Sequence, residues 1–81
     1  MRVSVFVCVT KIGDPEYEGF VTARTVEVSD PHLAFVEVEK LLRLQYELPS
    51  TAIVSFEKQR EVYADEDEFS GNIGRAFFRH E

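Results

Sequence analysis

The chain has no tryptophan, one cysteine, one methionine, three prolines and four glycines. With Cys8 alone, no disulfide can close within the chain. One cysteine and two scattered histidines, His32 and His80, also lack the paired spacing of a structural zinc site. A lone thiol inside an apolar run fits a reducing, cytoplasmic setting. No hydrophobic stretch is long enough to cross a bilayer: the run over residues 3–9 is broken by Ser4 and stopped by Lys11, with no small-residue cleavage site after it. Basic side chains are also scarce. Nine Lys and Arg against fifteen Asp and Glu leave a net charge of −6. That balance argues against direct nucleic-acid binding, which needs cations to displace counterions, and it suits a protein partner with a basic surface. The same charge also keeps a small domain in solution.

What is present is the composition of a folded chain: 81 residues, 44% hydrophobic and 30% charged. This is one domain over residues 1–81, with its core in 2–58 and a less patterned C-terminal segment over 59–81. A domain this small buries about 60% of the surface of its unfolded chain. Without disulfide or metal, self-association or a partner is the remaining source of added stability.

Valines at 3, 5, 7 and 9 alternate strictly, the period of a strand, and apolar groups at Phe6 and Cys8 on the other face mark it as central. Residues 13–19 collect turn formers and predict a hairpin loop. Residues 20–28 read as the second strand. Val21 and Ala23 fall out of phase with Val26 and Val28, so a bulge near Arg24 and Thr25 is expected. Asp30 followed by Pro31 is an N-cap before a first helical position and predicts a helix over residues 31–46, ending before Pro49. Ala34, Val38, Leu41 and Leu42 share its inner face. Leu33 and Leu44 lie about 20° apart on another side, with Val36 among charges. This flank is either covered by the C-terminal segment or used for self-association through Leu33, Val36 and Leu44. Residues 51–57 form the third strand, 58–61 are its polar continuation or a turn, and residues 75–81 suit a short edge strand.

The expected fold is therefore α+β: a three- or four-stranded, mainly antiparallel sheet with one helix packed on one face, in the order β-β-α-β with room for a further C-terminal strand. Over residues 2–58 this order resembles small β-β-α-β modules, including double-stranded-RNA-binding-like folds and compact phage-encoded inhibitors. The resemblance is architectural and implies no activity.

Nothing in the chain assembles an enzyme's equipment. Cys8 has no neighbouring cation, His32 sits in the first helical turn and His80 is penultimate. No catalytic, cofactor or metal residue is assigned. The four acids at 65–68 lack the spaced ligands and glycine of a calcium loop. The 71–75 run, GNIGR, lacks the ending of a phosphate loop, and the RAFFRH tail suits core packing better than strand binding. The features left are two acidic-aromatic segments: Asp14, Glu16, Tyr17 and Glu18, and Tyr63, Asp65, Glu66, Asp67, Glu68 and Phe69. They fit a small acidic, non-enzymatic protein-binding module, an inhibitor or adaptor docking on a basic, nucleic-acid-handling surface. The alternative is a self-associating accessory subunit, a homodimer built on the helix flank.

Overall fold

The computed structural model describes residues 1–63 and 72–81. Four strands, β1 (Arg2–Thr10), β2 (Tyr17–Glu27), β3 (Ile53–Val62) and β4 (Ile73–Arg79), form one antiparallel sheet in the order β3-β1-β2-β4. A short 3-10 turn, Pro31–Leu33, leads into helix α1 (Ala34–Gln45). The small α+β fold is as expected, and β1 is central.

Val3, Val5, Val7 and Val9 are fully buried and meet Ala34, Val38 and Leu42 of α1, which are also fully buried. Each such side chain contributes about 1.5–3 kcal/mol through removal from water, alanine less. Asp30 caps the helix start: its Oδ1 accepts the amide of His32 at 2.9 Å. The backbone hydrogen bond holds that carboxyl below its ordinary pKa, with the His32 side chain adding to the effect. At the other end Glu47 turns left-handed, φ 50°, and the Leu48 amide reaches back to the Arg43 carbonyl at 3.1 Å. That closure, followed by Pro49, stops the helix. Leu41 lies at the border of the buried face rather than within it and is 39% exposed.

The β1–β2 register runs unbroken from Arg2 opposite Glu27 to Thr10 opposite Gly19, so the bulge expected near Arg24 is absent. Phe20, Thr22, Arg24 and Val26 share the helix side, opposite the buried valines, and Val21 and Ala23 face the other way. Arg24 can occupy a helix-side position because its guanidinium finds acceptors there: Thr22 Oγ1, the carbonyls of Ala23 and Ile73, and the Tyr46 hydroxyl. The polar stretch 58–61 continues β3, an edge strand. Its charges, together with the register break opposite Phe6 and Val7 that leaves Glu57 unpaired, suit an edge that must not recruit another strand.

Candidate functional site

The first acidic segment forms the hairpin tip and the start of β2. Asp14 Oδ1 accepts the amides of Glu16 at 2.8 Å and Tyr17 at 3.0 Å, folding the tip on itself. Those two donors hold the Asp14 carboxyl below its ordinary value. The sign follows: with a depressed folded pKa, the turn's contribution is present above the ordinary carboxylate range and is lost as pH falls through the folded value. Amide exchange at Glu16 and Tyr17, corrected for intrinsic rate, should therefore accelerate in acid before exchange in β1 does.

Strand β4 then closes over this tip. Arg79 Nη2 lies 3.0 Å from Glu16 Oε1, and His80 Nδ1 lies 2.9 Å from Glu18 Oε2. The other ring nitrogen of His80 lies 3.1 Å from the Asp14 carbonyl, so the protonated ring can donate at both positions. His80 is thus held by contacts with the hairpin tip. These pairs are half exposed, so each contributes about 0–1 kcal/mol. Their structural effect is to occupy Glu16 and Glu18 with side chains of the same chain.

Beneath the tip lies a group of aromatic rings. Phe20 is 1% exposed, with ring centroids 5.4 Å from Phe77 and 5.8 Å from Tyr46, and Tyr17 sits 5.2 Å from Phe77. The Arg75 guanidinium stacks 3.9 Å from the Tyr46 ring centre and 5.0 Å from that of Phe77. A cleft of about 300 Å³ opens here, bounded by Ile12, Pro15, Phe20, Tyr46, Arg75 and Phe77. Sequence reasoning missed this cluster. Its members come from the hairpin, the helix end and β4, and the signal for it is the RAFFRH tail, which reads as core packing without revealing its partners Tyr17, Phe20 and Tyr46. Cation–π stacking and edge-to-face packing account for it as the joint that fastens β4 to the helix.

The second acidic segment begins at Tyr63, which is 64% exposed and whose carbonyl accepts Arg2 Nη2 at 2.9 Å. Asp65, Glu66, Asp67, Glu68 and Phe69 lie outside the described residues. On their far side, Asn72 Oδ1 accepts the Thr25 amide at 2.7 Å. Tyr63 and Asn72 both adjoin the Arg2 and Glu27 end of the sheet, whereas the hairpin tip is at the Thr10 and Gly19 end. Eight residue steps of strand separate the two ends, on the order of 26 Å. Asp14, Glu16, Tyr17 and Glu18 therefore come together, and Tyr63 stands apart from them.

The helix flank is open among the described residues. Strand β4 pairs with β2 instead of crossing α1, and Leu33, Val36 and Leu44 are 50%, 47% and 81% exposed.

Residues with chemical potential are dispersed. Burial, with a smaller contribution from the Glu57 carboxylate, pushes the Cys8 thiol up from its ordinary value, which keeps it protonated and a poor nucleophile. His32 Nδ1 rests 2.9 Å from Asp30 Oδ1 at the helix cap. Among the described residues no three His, Cys, Asp or Glu side chains gather as metal ligands, and no helix is long and apolar enough to cross a membrane. No protein-family model, curated protein or solved structure matches the chain.

Proposed function

We propose that this chain is a small acidic, non-enzymatic protein-binding module, an inhibitor or adaptor that docks on a basic surface of a larger protein. The observation that carries this reading is the pair of acidic-aromatic segments in a chain of net charge −6. Glu16 and Glu18 already face Arg79 and His80 of their own chain, so a partner must compete for them. Residues 65–68 put four acids in succession, between an exposed Tyr63 and Phe69. Docking is assigned to Asp65, Glu66, Asp67 and Glu68 with the flanking aromatics as anchors, together with the hairpin tip. A basic surface that normally holds nucleic acid has the matching chemistry, and the proposed setting is cytoplasmic. The test is a paired pull-down from nuclease-treated lysate. The bait is either the natural chain or one carrying Asp65→Asn, Glu66→Gln, Asp67→Asn and Glu68→Gln. The expected result is a basic protein retained by the first and lost from the second, while Glu16→Gln with Glu18→Gln retains it. Equal retention by both baits contradicts the reading.

A second reading, a self-associating accessory subunit, is favoured by one observation: the 81% exposure of Leu44 on an apolar helix flank.

A further inference from the structure

The outer side of α1 carries a strip whose order is informative. Leu33, at the end of the 3-10 turn, is followed by Val36, Glu37, Lys40, Leu41 and Leu44, all exposed. At about 100° per residue, Leu33 and Leu44 run down the middle, Glu37 and Lys40 lie about 30° to either side, and Val36 and Leu41 form the two borders. Counted outward from the point midway between Val38 and Glu39, the strip mirrors itself. Glu37 answers Lys40, Val36 answers Leu41 and Leu33 answers Leu44.

We propose that this strip joins two copies of the chain as an antiparallel, two-fold helix pair. It deepens the self-association reading and does not rest on acidic docking. A two-fold axis through the strip's midpoint lays Leu33 against the partner's Leu44, and the reverse. The same operation brings Glu37 to the partner's Lys40 twice. The two Val36 side chains close one border and the two Leu41 side chains the other. Such an interface uses one patch on both subunits, which requires the patch to be complementary to itself. Within each copy Lys40 Nζ already lies 3.5 Å from Glu37 Oε1, so in the helix pair each Glu37 has a lysine of its own chain and one of the other copy beside it. On the Leu41 border, a groove of about 350 Å³ between α1 and the end of β2, flanked by Val26 and Glu27, leaves room for an incoming leucine. An unrelated partner would not require the mirrored order, and a lipid surface would not require Glu37 opposite a lysine.

The test uses the whole chain and reads mass in solution by light scattering at a concentration on the order of 0.1 mM, where a micromolar dimer is saturated. The natural chain should show twice the monomer mass. Glu37→Lys and Lys40→Glu each place like charges opposite one another twice, and each should weaken the dimer by about tenfold or more. Mixed in equal amounts, those two variants become complementary at both contacts and should regain the dimer mass. The double variant should dimerise with itself. Leu44→Glu should be a folded monomer, since that side chain packs little within its own chain. A monomeric natural chain, a dimer indifferent to the single charge changes, or a mixture that stays monomeric would overturn the proposal. Circular dichroism of each variant distinguishes loss of association from loss of fold.

Discussion

Replacing Phe20 with alanine should lower the unfolding free energy by about 3–5 kcal/mol, the cost of emptying a well-packed aromatic site. Phe20, on β2, is 1% exposed and touches the end of α1 through Tyr46 and strand β4 through Phe77. Its ring also lies beneath the Arg75 guanidinium, 5.5 Å away. Without it, Arg75 and Tyr46 lose the surface that orients them, and β4 keeps only its edge pairing and the exposed contacts of Arg79 and His80. A domain of this length has a total stability of roughly 4–12 kcal/mol, so the loss is a large fraction of the whole. Urea unfolding should show a midpoint reduced by about a third or more, with the melting temperature lower by tens of degrees. A change below about 1 kcal/mol would mean that the three elements are not organised around this ring.

Gly19→Ala should destabilise by about 2–3 kcal/mol for a different reason. The position is buried in β2 opposite Thr10, and a Cβ there would be driven into the carbonyl of Val9, with Phe78 Cζ only 3.0 Å away. The obstacle is backbone of the neighbouring strand, which cannot move aside as the tip of a side chain can. The β1–β2 pairing must open at this end, and β4, paired through Phe78, should loosen with it. Hydrogen exchange should therefore accelerate first in β4 and around Val9. Gly74 provides the control: a Cβ added there would meet no atom within 4 Å, so Gly74→Ala should be neutral or mildly stabilising, by about 0.4–1 kcal/mol. Equal effects at the two glycines would contradict this packing.

The parts of the fold legible in the sequence are those whose cause is local. Alternating valines specify a buried strand, and Asp30 before Pro31 specifies where the helix begins. The phase of β2 is not legible, because Arg24 reads as an outward residue until its acceptors on Tyr46 and Ile73 are known. The length of β3 is open for a related reason: an edge strand can continue through Lys58, Gln59, Arg60 and Glu61 without apolar alternation. The acidic hairpin is visible as a cluster, but its pairing with Arg79 and His80 depends on residues more than sixty positions away. The exposed helix flank shows as an excess of leucines. Whether the chain's own end covers it depends on the placement of β4.

Docking through charge makes its sharpest prediction in the salt dependence of affinity. For a partner captured in the paired pull-down, dissociation constants would be measured across a salt series for the natural chain and for the chain neutralised at 65–68. Affinity should fall steeply with salt for the natural chain, and should be weaker and much less salt-dependent once those four acids are neutral. Parallel salt curves of equal affinity would contradict charge-based docking.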